Sequence, residues 1–215
     1  METTREAAVV YGEAEVFART AHLFEGAEEI ICAANDLNTW AWTSQRRSAM
    51  THPSRLKHRA RKLYRPGALI EPGRAEHVRE LRRLGAEVRI TTNEISETIV
   101  IDQRIAILAG DRASGERSYR VVTQLEVVLS VTSLFNAAWR AATELEVFDL
   151  RFAEVRVLAP RILDLLASGC KDETAARTLG LGLRTYRRRV AELMSALGAT
   201  SRFQAGARAR ELGMV

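Results

Sequence analysis

Residues Lys171–Leu197, KDETAARTLGLGLRTYRRRVAELMSAL, decide how the rest of the chain is read. They predict a helix, a glycine-marked turn and a second helix that opens with arginines. In the first helix Thr174, Ala175, Thr178 and Leu179 are the small or apolar positions expected on one face. Gly180-Leu181-Gly182 is the turn, where two glycines let the backbone bend sharply without a Cβ penalty. In the second helix Tyr186, Val190, Leu193, Met194 and Leu197 recur at steps of three and four, which predicts one buried stripe. Arg184, Thr185, Arg187, Arg188 and Arg189 then point largely elsewhere. An arginine-rich surface on the N-terminal half of a helix suits the major groove of DNA.

Charge follows the same division. From Arg151 onward the chain holds 12 basic and 6 acidic residues, net +6, which leaves 20 and 21, net −1, for the first 150. The excess therefore lies where phosphate neutralisation needs it.

From Ile162 to Val215 the pattern resembles the four-helix LuxR-type DNA-binding domain. The match rests on Ile162-Leu163, Leu165-Leu166, Gly169, Ala175-Ala176, Leu179-Gly180-Leu181, Arg184-Thr185, Val190, Leu197-Gly198 and Ala205. The resemblance implies a scaffold helix at about 171–178, a recognition helix at about 183–197 and a fourth helix at about 201–212 that often supplies a dimer contact. It carries over Arg184, Thr185, Arg187, Arg188 and Arg189 as DNA contacts, with Lys171 near a phosphate at the start of the scaffold helix. Two departures stand out. Leu158-Ala159-Pro160-Arg161 replaces the usual threonine- or serine-led entry, although Pro160 suits the first position of a helix. Gly182-Leu183 stands where a serine and a proline are common, which removes a side-chain cap from the recognition helix.

Ahead of this segment, Glu13–Glu25 spaces Val16, Phe17, Leu23 and Phe24 as an amphipathic helix closed by Gly26, and Glu29–Ala34 is a short β-branched run expected as a buried strand. Trp40 and Trp42 follow that strand's end, where open α/β sheets place ligands. They are candidates for ligand contact or for packing. Residues 44–70 carry eight basic side chains and no acidic one, so a partner of this run, Arg46 and Arg47 included, would be anionic; a solvated loop is the other reading. Within it, residues 60–64 suggest a strand. A helix at Arg74–Leu84, a strand at Ala86–Thr91, a hairpin of Thr98–Ile101 and Ile105–Leu108 around Asp102-Gln103-Arg104, a strand at Ser118–Thr123 and a long helix at Gln124–Ala142 complete an α/β layer pattern.

Gly85-Ala86-Glu87-Val88-Arg89, the hairpin Val100–Leu108 and the helix end Leu134-Phe135-Asn136-Ala137-Ala138-Trp139 resemble one phospholipase-D-like unit, similar to the version in TrmB-like and LuxR-ended bacterial regulators. There the unit is regulatory. Active members carry His-x-Lys-x4-Asp, in which histidine attacks phosphorus and lysine holds phosphoryl oxygens. With the aspartate placed on Asp102, Glu97 occupies the lysine position and Ile95 the histidine position, so both chemical groups are missing. Asp102 is expected to cap its own turn. His22, His52, His58 and His77 have no such spacing, and no metal-ligand cluster or phosphate loop is evident.

The expected architecture is therefore an α/β, single degenerate phospholipase-D-like domain over 1–145, a packed apolar linker over 146–159 and an all-α four-helix LuxR-type helix-turn-helix domain over 160–215. The expected function is a non-enzymatic, sequence-specific transcriptional regulator with no cofactor or metal. Its partners would be double-stranded DNA, a second copy of itself and a small-molecule or protein effector. The alternative is an interaction module whose helical tail binds a partner regulator. The polar start METTREAAVV and the absence of a long apolar run predict a cytoplasmic protein without a membrane partner, and Cys32 and Cys170 have neither pairing nor metal spacing.

Overall fold

A computed structural model of the chain describes residues 8–34, 58–70, 72–113, 116–211 and 214. Trp40, Trp42, Arg46 and Arg47 lie outside the described residues. The chain begins with strand β1 (Ala8–Tyr11), helix α1 (Glu13–Glu25) and strand β2 (Glu29–Ala34). Strand β3 (Arg59–Tyr64) leads through a 3-10 turn (Pro66–Leu69) into α2 (Pro72–Arg83) and β4 (Glu87–Ile90). Strands β5 (Thr98–Ile101), β6 (Ile105–Ala113) and β7 (Glu116–Val122) precede α3 (Leu125–Ala141). A two-residue strand β8 (Thr143–Glu144) is followed by α4 (Leu145–Ala167), α5 (Asp172–Thr178), α6 (Leu183–Ala196) and α7 (Arg202–Glu211).

The strands make one mixed sheet in the order β1-β7-β6-β5-β2-β3-β4-β8. Strands β2, β3 and β4 run parallel at its heart, joined across β3 and β4 by α2, while β5, β6, β7 and β1 form an antiparallel flank. Alternation along β2 explains why both faces are covered. Ile30, Cys32 and Ala34 point into a cluster with Val16 of α1 and Ala75, Val78 and Leu81 of α2. Ile31 and Ala33 point the other way, against Val128, Phe135 and Trp139 of α3. Arg61 lies 5.6 Å from the Phe135 ring centroid and Arg89 lies 5.0 Å from that of Trp139, so two guanidinium groups of the sheet cover the α3 aromatics.

Asp102 differs from expectation in what it holds. Asp102 and Gln103 form the hairpin tip with φ of 51° and 54°, and Asp102 Oδ1 accepts hydrogen bonds from the backbone amides of Glu28 and Glu29 at 2.9 and 2.8 Å. The carboxylate thus closes the entry to β2 as well as sitting in its own turn, a long-range pairing that turn spacing does not reveal.

Helix α4 also departs from the reading of its sequence. It runs unbroken from Leu145, so Pro160 lies inside it and not at its first turn. The apolar stretch 146–159 splits by helical period. Phe152 and Val155 are buried, Phe148 packs against both neighbouring clusters, and Leu150 and Val157 stay exposed at 83% and 77%. A third cluster gathers Val155, Ala159, Ile162 and Leu163 of α4 with Tyr186, Val190 and Leu193 of α6 and Ala205 and Ala209 of α7; Ile70, after the 3-10 turn, joins it from the sheet side.

A polar seam fastens α4 to the sheet unit. Asp149 accepts from Arg79 Nε of α2 at 2.9 Å and from Arg156, whose Nε also donates to the Leu69 carbonyl at 2.6 Å. Burial pushes the Asp149 carboxyl up, but the hydrogen bonds from Arg79 and Arg156 outweigh it and hold the group below the usual carboxylate range. A depressed native pKa means that this stabilisation is complete above the unfolded value of about 3.9 and is lost as pH falls through the native one. Asp149→Asn is accordingly expected to destabilise by about 1–3 kcal/mol at neutral pH and to flatten the fall in melting temperature between about pH 5 and 2. Thermal melts of both proteins across that range check it; parallel curves would remove the seam's role.

Candidate nucleic-acid interface

Helices α5 and α6 meet through the turn at 179–182. Gly180 carries φ of +68°, and its amide and that of Leu181 bond back to the carbonyls of Arg177 and Ala176 at 3.0 and 2.8 Å, closing the end of α5. Gly182 does not share this role. Its φ is −67°, extended backbone at the start of α6, with no side-chain cap bond, so one glycine is required by conformation and not two. Within α5 the buried pair is Ala175 and Ala176, while Thr174 and Thr178 face solvent, contrary to the face expected for them. In α6, Tyr186, Val190 and Leu193 are buried and Leu197 follows them inward, the stripe that the spacing predicts.

The opposite side of α6 carries the arginines, and the structure separates them. Arg184 is exposed and makes no ion pair among the described residues. Arg188 is exposed and, among the described residues, pairs only with Glu192, at 3.8 Å. Arg187 is anchored: its Nε donates to Asp172 Oδ2 at 2.9 Å, with Glu173 3.8 Å away. Arg189 does not join them. Only 11% of its side chain is exposed, and its guanidinium lies between Glu154 of α4 and Glu192 at the flank of the buried stripe. Thr185 is half-buried, and Lys171, exposed, precedes the first turn of α5.

Asp172 is the organiser that the sequence reading missed. As the first residue of α5 it also forms an ion pair with Arg202 of α7, whose Nη2 lies 2.7 Å from its Oδ1, so one carboxylate ties together three helices. Its burial raises the carboxyl pKa, and hydrogen bonds from Arg187 and Arg202 more than reverse that, leaving it below the ordinary range. The available signal was the acidic pair Asp172-Glu173 at the head of a helix. A second signal was Ser201-Arg202-Phe203-Gln204: Ser201 Oγ accepts from the Gln204 amide at 3.2 Å, and Gln204 Oε1 accepts from the Thr200 amide at 2.8 Å, a reciprocal cap that starts α7. Gly198, with φ of +64°, ends α6, and a Cβ there would lie 2.6 Å from Arg65 Nη2. An arginine following β3 is thereby packed against the end of the arginine helix.

The positions of the phospholipase-D signature do not converge. Ile95 packs against the α3-side cluster and Glu97 is buried beside Arg117, both before β5, while Asp102 lies beyond its far end. Among the described residues no group of three or more His, Cys, Asp or Glu is gathered to hold a metal, and no helix is long and apolar enough to cross a membrane.

Fold and site together define a mixed α/β sheet continued by a helical segment whose helix α6 exposes Arg184, Arg187 and Arg188. No family model matches the chain. A bialaphos biosynthetic pathway regulatory protein of Streptomyces hygroscopicus is 35% identical over 141 residues, 65% of this chain and 55% of that protein, so the chain spans about half the length of this curated relative. Among solved structures it is similar to TrmBL2, an archaeal chromatin protein described as showing a novel mode of DNA binding, with TM-score 0.49 and 16% identity over 67% of this chain and 56% of that one. It is also similar to Nuc of Salmonella typhimurium, a phospholipase D family member, with TM-score 0.46 and 10% identity over 65% and 98%.

Proposed function

We propose that the chain is a sequence-specific DNA-binding transcriptional regulator. In this reading residues 160–215 are a LuxR-type helix-turn-helix unit, residues 1–145 are a non-catalytic phospholipase-D-like module, and 146–159 couples the two. The observation that carries it is the solvent face of α6, where Arg184 and Arg188 stand opposite the buried Tyr186, Val190 and Leu193 with no strong partner among the described residues. Arg187, positioned by Asp172, Thr185 and Lys171 complete the contact set. Arg189 is left out because it is spent on Glu154 and Glu192. The regulatory relative supports the reading. The groups at the signature positions, Ile95 and Glu97, support a module without hydrolytic activity, since neither attacks nor holds a phosphoryl group.

One helix-turn-helix reads few base pairs, so the regulator acts as a homodimer on half-sites about ten base pairs apart. Phe203 of α7, 85% exposed, and Leu134 of α3, 72% exposed, are apolar groups on the two helices available for that contact. Selection of sequences from a random duplex library by the full-length protein at two salt concentrations is the test. Enrichment of a palindrome with that spacing is expected. Phe203 also favours a second reading, in which the tail binds a partner regulator; duplex binding that is absent at both salt concentrations would favour it.

A further inference from the structure

A cleft of about 620 Å³ opens between the sheet unit and α6. One wall is the region beyond the carboxyl ends of two parallel strands, Pro66 after β3 and Thr91, Thr92 and Asn93 after β4, which is where open α/β sheets receive ligands. Its floor is Phe148 and Phe152 of α4, stacked at 5.3 Å between ring centroids. The facing wall is the later half of α6, including Ala191, Glu192 and Ser195. By helical period Ala191 and Ser195 continue the line of Arg184 and Arg188, so the cleft borders the same helix face one turn beyond the arginines.

We propose that this cleft is an effector site for a neutral, amphipathic small molecule with a ring-shaped apolar body and a hydrogen-bond donor. The size suits a drug-sized ligand. The stacked phenylalanines and Ile90 take the apolar body, and Thr91, Thr92, Asn93 and Ser195 supply hydroxyl and amide groups. No Lys, Arg or His is among the described lining residues, so none of these offers a positive charge to a carboxylate or a phosphate. The ionisable group present is Glu192, and it conveys the signal. Glu192 lines the cleft and also bonds Arg189 at 2.8 Å and reaches Arg188 at 3.8 Å. A donor on the ligand draws Glu192 away from Arg189, the buried guanidinium that Glu192 shares with Glu154 of α4, and a body wedged between α4 and α6 changes how the sheet unit sits beside the arginine face. The coupling rests on the DNA-binding reading of α6; the pocket does not.

The test uses the full-length protein with N-phenyl-1-naphthylamine, a neutral aromatic dye that carries one N–H donor, as the probe. Thr92→Trp and Ala141→Trp each fill the cleft from the sheet side, away from the arginines, at exposed positions. The wild type is expected to bind the dye with fluorescence enhancement, each variant about tenfold more weakly, and saturating dye to change wild-type duplex affinity by about fivefold or more but not that of the variants. Equal dye binding by wild type and both variants would overturn the site. Dye binding that the variants block, without any change in duplex affinity, would overturn the coupling. Blocked dye binding in a protein that takes no duplex at all would support the cleft and overturn the reading of α6 instead.

Discussion

Arg184→Ala combined with Arg188→Ala is expected to lower affinity for the selected duplex by about 30-fold to about 10⁴-fold, with the melting temperature essentially unchanged. The range follows from the contacts each residue is free to make. An arginine paired with guanine through two hydrogen bonds is worth about 1–3 kcal/mol of discrimination, and two such residues multiply the loss. Stability stays because neither side chain is committed to the fold: Arg184 has no ion pair among the described residues, and the exposed 3.8 Å pair of Arg188 with Glu192 contributes close to nothing. Salt titration separates their roles. A residue bound to phosphate lowers the slope of log affinity against log salt by about one when removed, whereas a base contact leaves the slope and relaxes the sequence preference. Arg187→Ala is the less clean experiment, since it also strips Asp172 of a partner at 2.9 Å and so disturbs the junction of α5, α6 and α7. Wild-type affinity in the double variant would refute the assignment of the recognition face.

The largest effect on stability is expected at Tyr186. Its ring is fully buried on the inner face of α6, in the cluster that α6 shares with α4, α5 and α7, and Tyr186→Ala leaves a cavity that α5, only seven residues long, has little means of closing. Truncating a buried aromatic typically costs about 3–5 kcal/mol, which for a chain of this size lowers the melting temperature by roughly 6–20 °C. Tyr186→Phe retains the ring and is expected to recover most of that loss. Hydrogen exchange locates the damage: amides of α5, α6 and α7 lose protection first, while the parallel strands β2, β3 and β4, whose side chains pack in two other clusters, retain theirs. A shift under about 2 °C would mean that the cluster is not the core of the helical segment.

Signals carried by a few neighbouring residues were legible in the sequence, and those set by distant ones were not. The periods of α1, α2, α3 and α6 were legible because each presents an apolar stripe at steps of three and four. The β5–β6 hairpin was legible from two β-branched runs around a polar triplet. The face of α5 was misjudged because it spans only two turns, too few for a period to separate threonine from alanine. Pro160 was taken for a helix start because proline is well placed there, whereas the structure carries it inside α4, a helix held by packing along most of its length. The site divides likewise. Spacing and the LuxR-type resemblance singled out Arg184, Thr185, Arg187, Arg188 and Arg189 alike, since adjacent arginines look the same until a neighbouring helix places Glu154 against one of them, and the proposed contact set keeps the first four.

What this sequence determined by itself is the succession of elements, the buried stripe of α6 and the concentration of positive charge beside it, because periodicity and composition are properties of the chain read one residue at a time. What only the tertiary structure decided is which charges remain available: Asp172 drawing Arg187 and Arg202 to one carboxylate, Arg189 withdrawn to Glu154, and a cleft between residues 90–93 and α6 that no local stretch encodes. These depend on groups far apart in the chain whose approach is set by the packing of α4 between the sheet and the last three helices.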